Sequence, residues 1–521
     1  MKVVTGKVMQ EIDRRTIEEF GVPGLTLMEN AGRACADFIT GRFAEGRDRR
    51  KAVVVAGKGN NGGDGYVIAR LLGEMGWQAA VFVIASKDEI TGDAKSNLNR
   101  LSSEVVTFCE ETGILGRYAG LFREADVIVD ALVGTGLKSP LRDAYAETVE
   151  IINAAGRPVV AVDIPSGIDA ADGRILGVAV KADATVTFGL AKCGHVLFPG
   201  AERTGSLHIA DIGIPPEVTA DAVGPEYIDA ATASTFLLPR GHSAHKGNFG
   251  HCLIVAGSTG KTGAAAMAAN SAVRAGAGLV TLAVPSTLNA ILEMKTTEAM
   301  TVPLYDNGRG YLGEEARPVI EAALSGKNAI AIGPGLGSDP GTARLVRDLV
   351  AETNLPMVVD ADGLNALSED PSILFAKKSS KVILTPHPGE MARLCGLSAS
   401  DIEADRMGAA QKFAKTYQVY VVLKGAGTVI ATPEGELAIN GSGNPGMASG
   451  GMGDLLTGVL AALLAQGYPP FEACRLGVFI HGHAADMVAA DKGEIGMTAL
   501  DVQEQLPYAC KQLLIERRNR C

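Results

Sequence analysis

Late in the chain, Gly450-Gly451-Met452-Gly453-Asp454 stands directly before an apolar helical stretch, residues 455–465. Bare N–H groups at a helix start, together with the helix dipole, favour an anion such as phosphate. A helix cap would need only the aspartate and no glycine run. An aspartate beside an anion repels it unless it handles a proton, so Asp454 reads as a base next to a phosphate-binding turn. Lys424-Gly425-Ala426-Gly427-Thr428 is the second such feature: an ordinary hairpin by spacing, but one whose Lys and Thr offer phosphate or ribose contacts. Gly257-Ser258-Thr259-Gly260-Lys261-Thr262-Gly263-Ala264 invites comparison with a P-loop, yet only two residues separate Gly257 from Gly260 where four are needed. Lys261 therefore reads as solvated. Gly333-Pro334-Gly335-Leu336-Gly337, Asp360-Ala361-Asp362 and Thr385-Pro386-His387-Pro388-Gly389-Glu390 each follow an apolar run. Two prolines present His387 rigidly, as a ligand contact, whereas His481 and His483 lie in a helical stretch and read as structural.

The first half carries a different chemistry. Gly57-Lys58-Gly59-Asn60-Asn61-Gly62-Gly63-Asp64-Gly65 holds five glycines in nine positions, more than a turn needs, with two asparagines and an aspartate as side-chain ligands. Asp130 ends one apolar run and leads into Gly134-Thr135-Gly136-Leu137-Lys138-Ser139-Pro140. Asp163 ends another and leads into Ile164-Pro165-Ser166-Gly167. Asn61, Asp130 and Ser166 are hard oxygen donors suited to an alkali or alkaline-earth ion.

These loops need a scaffold that brings strand ends to one edge. Apolar runs at 52–56, 79–84, 127–130, 159–162 and 184–188 alternate with helical stretches. The pattern fades over 212–233, which reads as a linker. It resumes at 251–256, 279–284, 329–332, 357–360, 382–385 and 419–423. Such alternation predicts two α/β domains with mainly parallel sheets, residues 1–220 and 221–521. At 521 residues, one core would be too large. The composition, 47% hydrophobic and 5% aromatic with 64 glycines, suits that class, and a net charge of −11 argues against nucleic acid. Eight scattered cysteines (35, 109, 193, 252, 395, 474, 510, 521) form no metal spacing and predict a reduced, cytoplasmic chain. No apolar run approaches the roughly 20 residues of a membrane span.

Met28-Glu29-Asn30-Ala31-Gly32 and the three first-half loops resemble the YjeF N-terminal family of NAD(P)H-hydrate epimerases over residues 1–214. The resemblance implies a Rossmann-like three-layer αβα fold and K⁺ on Asn61, Asp130 and Ser166. It also implies a hydrated nicotinamide nucleotide against Asn60, Asn61, Gly62, Gly63, Asp64, 134–140 and Asp163. Asp163 is the candidate acid or base. Residues 234–514 resemble the ribokinase-like, ADP-dependent NAD(P)H-hydrate dehydratases. There the resemblance implies Lys424, Gly425, Ala426, Gly427, Thr428 and Gly453 on the adenine nucleotide, and Ala264, Gly335, His387 and Asp454 on the hydrated substrate. Phosphoryl transfer implies Mg²⁺. The fused order and the lack of a leader lead to ADP rather than ATP as expected donor, and a homo-oligomer is the expected assembly. A small-molecule kinase for a sugar or vitamin precursor, and a first domain that only binds nucleotides, are the rival readings.

Overall fold

The computed structural model describes residues 1–43 and 50–520. The chain divides into two compact units, Lys2–Pro225 and Glu226–Cys521, the latter together with Met1. The boundary expected near residue 220 is therefore drawn a few residues later.

In the first unit seven parallel strands lie in the order Val106–Phe108, Trp77–Val83, Arg50–Ala56, Val127–Ala131, Val159–Val162, Ala184–Phe188, Ser206–Ala210. The inner strands are apolar and buried throughout, as a sheet covered on both faces requires. Strand order reverses between Arg50–Ala56 and Val127–Ala131, so their carboxyl ends open a crevice at the switch point. The glycine-rich loop and the Asp130 loop leave from those two ends.

The second unit holds ten strands, all running one way except Val429–Ala431, which is antiparallel to both of its neighbours. Its order reverses between His251–Val255 and Ala329–Ile332, which again places the 257–264 and 333–337 loops side by side. Helix Met452–Ala465 is buried at every position from Leu455 onward. That explains its unbroken apolar sequence: a helix hydrophobic all round belongs in a core. Among the described residues no helix is long and apolar enough to cross a membrane, and seven cysteines are unpaired thiols. Cys521 lies outside the described residues.

The segment 212–233 is not a plain linker. It contains helix Pro216–Ala220, strand Glu226–Ile228 and the first turn of helix Ala230–Phe236. Pro216 fits a first helical position, where its missing N–H costs nothing. Strand Glu226–Ile228 pairs in parallel with Leu437–Asn440 at the edge of the second sheet. Three residues are too few to show a period, which is why the sequence hides them. Arg475 pins the strand: its guanidinium binds Glu226 at 2.6 Å and stacks between Phe236 and Phe471.

Candidate functional sites

The first unit encloses a cavity of about 690 Å³, within the range that holds a nucleotide portion. Lys58, Asn60, Asn61, Asp64, Gly134, Thr135, Gly136, Leu137, Ser139, Pro140 and Asp163 all line it. Gly62 and Gly63 are buried at the start of helix Asn60–Glu74 instead, and Lys138 is exposed outside the cavity. Gly62 has a packing reason: a Cβ there would be driven into the Gly57 carbonyl, so the loop closes on itself only with glycine.

Beneath the cavity wall, Asp130 is fully buried. Ser166 donates to it twice, from Oγ at 2.6 Å and from its backbone N–H at 2.8 Å, and the Leu132 N–H adds a third bond at 3.2 Å. Burial still pushes the Asp130 carboxyl up to about 6. Beside Gly134, both polar atoms of the Asn61 amide are buried without any partner. Natural proteins rarely leave such an amide unpaired. The Asp130 carboxyl and the unpaired Asn61 carbonyl are both hard oxygen donors.

Asp163 is held in a sparsely populated conformation, with φ +66°. Lys192 donates to its Oδ1 at 2.6 Å, Thr187 donates at 3.1 Å, and His195 Nε2 meets its backbone oxygen at 2.9 Å. Burial by itself would raise the Asp163 carboxyl, but the Lys192 ammonium outweighs it and holds the group below the ordinary range. Asp163 is therefore a fixed anion. Lys192 is 1% exposed, and His195 is pushed down to about 3, first by burial and then by Lys192. Sequence reading missed both. The only signal was a lysine and a histidine in an otherwise apolar stretch after strand Ala184–Phe188.

In the second unit the predicted loops converge. The Gly257 N–H donates to Pro334, Ser258 Oγ donates to the Gly335 carbonyl, and Gly335 packs on Ala264. Lys261 is not simply solvated: it binds Asp362 at 2.9 Å, and Asp362 also accepts the Gly337 N–H at 2.8 Å. Lys424 Nζ reaches Asp360 at 2.7 Å, while Thr457 donates to the other Asp360 oxygen at 2.7 Å. Gly453 sits directly against this ion pair. The hairpin Lys424–Thr428 rests on Arg406, a residue with no sequence signal, whose guanidinium donates to the carbonyls of Leu423, Lys424 and Ala426. His387 caps helix Pro388–Cys395: its Nδ1 accepts from Gly389 at 3.0 Å, and Glu390 returns a bond to the His387 N–H at 2.8 Å. Its two prolines thus position a cap, and the ring's other edge remains half exposed. His481 is buried, and His483 meets Gln512 at 2.7 Å.

Asp454 occupies the first turn of helix Met452–Ala465, after Gly451 at φ +96°. That left-handed turn needs glycine and leaves the first-turn N–H groups without helical partners. Burial pushes the Asp454 carboxyl up to about 7; Asp360, Asp362 and Glu390 add to the rise and Lys424 opposes it. Among the described residues no three His, Cys, Asp or Glu side chains close a metal cage.

Comparison with known proteins resolves the family. A profile described as YjeF-related protein N-terminus matches residues 24–194, and one described as NAD(P)H-hydrate dehydratase matches residues 252–508. A bifunctional NAD(P)H-hydrate repair enzyme of Moorella thermoacetica is 43% identical over 517 residues, spanning 98% of this chain and 97% of that protein. The chain belongs to the bifunctional NAD(P)H-hydrate repair enzymes. The Escherichia coli repair enzyme is 36% identical over 94% of this chain and 91% of its own. The solved ADP/ATP-dependent NAD(P)H-hydrate dehydratase of Bacillus subtilis, co-crystallised with ATP and Mg²⁺, aligns with 56% of this chain and all of its own, at 30% identity and TM-score 0.50. The repair-enzyme family thus accounts for the N-terminal α/β domain and for the ribokinase-like domain after it.

Proposed function

We propose that the first unit interconverts the R and S forms of hydrated NADH and NADPH. The second unit then dehydrates the S form at the expense of ADP, giving AMP and phosphate. The observation that carries the reading is Asp454: a half-buried carboxyl at a glycine-opened helix start, tuned close to neutrality beside the Lys424–Asp360 pair. A general base is most effective when its pKa lies near the working pH. Asp454 takes the proton of the substrate hydroxyl as that oxygen attacks the terminal phosphorus of the donor. The first-turn amides, from Gly450 to Gly453, stabilise charge on the transferred group. The ring nitrogen's lone pair then expels phosphate as a C=N⁺ bond forms, and loss of a proton from the adjacent carbon to water restores the ring double bond. Lys424, Gly425, Ala426, Gly427, Thr428 and Gly453 contact the adenine nucleotide, while Ala264, Gly335 and His387 face the hydrated substrate.

Mg²⁺ fits this site by its chemistry. Asp360, Asp362, Glu390 and Asp454 outnumber Lys424 and Lys261, and Mg²⁺ is commonly held by one or two carboxylates plus phosphates. Glu390 would hold it, since one of its oxygens makes only a 3.5 Å approach to His387. Mg²⁺ would screen charge on the phosphates. In the first unit Asn61, Asp130 and Ser166 would hold K⁺, which would fix the loops around the substrate. Asp163, as a paired anion, suits contact with a ring that turns cationic.

Mixing the protein with S-hydrated NADH and either ADP or ATP, and following the absorbance of restored NADH, tests the reading. We expect recovery with ADP ahead of ATP. No recovery with either, alongside phosphorylation of a vitamin precursor, would favour the kinase alternative. The pH dependence has a definite sign: the base must be ionised, so kcat/KM should fall about tenfold per pH unit below about 7. A profile flat from acid to neutral pH would remove Asp454 from that role. For K⁺, we expect the first unit's melting temperature to fall when K⁺ is replaced by tetramethylammonium, and Asp130→Asn to erase that response. Equal melting of the unaltered protein in both salts would count against the cation site.

A further inference from the structure

Four carboxylates on four elements line the first unit's cavity: Asp13 on helix Gly6–Glu18, Asp64 on helix Asn60–Glu74, Asp93 on helix Gly92–Leu98, and Asp163 beyond strand Val159–Val162. Three cations line it too: Lys58 and Arg142 are exposed, with Lys58 paired to Glu89, and Lys192 is buried and bonded to Asp163. Asp163 is thereby committed, its Oδ1 taken by Lys192 and Thr187. Asp13 and Asp64 differ. Among the described residues neither side chain has a hydrogen bond or ion pair, although Asp64 is only 9% exposed and faces the cavity. A polar group left unpaired at the wall of a ligand cavity is placed to meet its partner in the ligand.

We propose, building on the epimerase reading above, that Asp13 and Asp64 together carry the proton exchanged with the substrate hydroxyl, while Asp163 with Lys192 supplies a fixed negative charge beside the ring. Charge balance supports the division of labour. The one buried ammonium is taken by Asp163, so ionising Asp64 as well sets it against Asp163 and Asp13, which like-charge repulsion opposes. Burial pushes Asp64 well above the usual carboxylate range, with Asp163 and Asp13 adding to it. Asp13 is pushed up to about 6, chiefly by burial. Each therefore holds a proton more readily than an ordinary carboxyl.

The chemistry uses that proton. Water adds to an enamine at the carbon attached to nitrogen, so the hydrate is a hemiaminal. Its hydroxyl leaves when the carboxyl pair protonates the oxygen: the C–O bond breaks, water forms, and the nitrogen lone pair makes a C=N⁺ bond. The Asp163 anion faces the resulting cation. Water then adds to the opposite face, the C=N⁺ electrons return to nitrogen, and the surplus proton goes back to the carboxylate pair. Nothing is oxidised or reduced, and no co-reactant but water is needed.

The test uses the full chain and a purified single epimer of hydrated NADPH in H₂¹⁸O, read by chiral chromatography and mass spectrometry. For the unaltered protein we expect every inversion to install one solvent oxygen. Asp13→Asn and Asp64→Asn should each slow inversion about 100-fold or more, with substrate Kd held within about threefold, and Asp13→Glu should recover part of the rate. Inversion without oxygen exchange in the unaltered protein would overturn the proposal whatever the variants do. So would wild-type rates in either Asn variant. An unaltered protein that leaves the epimer unchanged would instead sink the epimerase reading on which the proposal rests.

Discussion

Asp454→Asn should abolish dehydration of S-hydrated NADH while epimerisation continues at its normal rate. The amide matches the carboxylate in size but cannot take up a proton, so the loss is that of a general base, about 10²–10⁴-fold in kcat. Folding should survive the change. Asp454 makes no hydrogen bond or ion pair among the described residues, and its carboxyl is disfavoured as an anion by burial and by Asp360, Asp362 and Glu390. What is lost is its interaction with the helix start, worth about 0.3–1 kcal/mol, and its attraction to Lys424. Adenine nucleotide should bind as well or better, since a repelling charge is gone. Absorbance at fixed ADP gives the first activity and chiral separation of the hydrates the second. Near-normal dehydration would remove Asp454 as base, and equal loss of both activities would mean that the two units do not work independently.

Lys192→Met should destabilise the first unit by about 3–5 kcal/mol, the usual consequence of removing one partner from a buried ion pair. The lysine is 1% exposed and Asp163 14%, so the lysine's charge cannot turn to bulk water. Asp163 lies below the ordinary carboxylate range in the folded protein. Its pairing therefore stabilises the fold above the unfolded-state pKa and is lost as pH falls through the folded one. The difference between wild type and variant should be widest near neutral pH and shrink on acidification. Asp163→Leu in the same chain should recover part of the loss, because no unpaired charge would then remain. The protein carries its own probe. Trp77, the single tryptophan, lies in strand Trp77–Val83 of the first sheet, so its fluorescence reports on that unit alone during denaturant unfolding. A shift below about 1 kcal/mol would mean that Lys192 is not sealed from water as described.

The inner strands were legible because burial on both faces demands unbroken apolar runs; Val159–Val162, Ala184–Phe188 and Ala329–Ile332 fall where those runs stand. Edge strands were not. Ser206–Ala210, Met300–Leu304 and Glu226–Ile228 mix buried positions with half-buried or exposed ones, and their membership depends on pairing with distant segments. The site loops show a similar limit. Glycine runs and strand-end aspartates mark where a ligand can sit, so the 57–65 and 450–454 loops announce themselves. The residues that set their electrostatics do not. Asp360 meets Lys424 and Thr457 across 64 and 97 positions of chain, and Lys192 and His195 meet Asp163 only after the sheet has formed. His387 shows the converse: local sequence announced a rigidly held ring, and much of that rigidity serves helix capping.

Strand Glu226–Ile228 matters for anyone who would cut the chain in two. A fragment opening at residue 221 keeps the strand and so keeps the outer edge of the second sheet covered. One opening at Asp229 would strip it away and leave the N–H and C=O groups of Leu437–Asn440 facing solvent along a row of largely buried apolar residues. A bare edge of that kind is a template for pairing with another chain. The shorter fragment should precipitate or self-associate even with every nucleotide-site residue intact, so the few residues just past the boundary act as the second unit's solubility element.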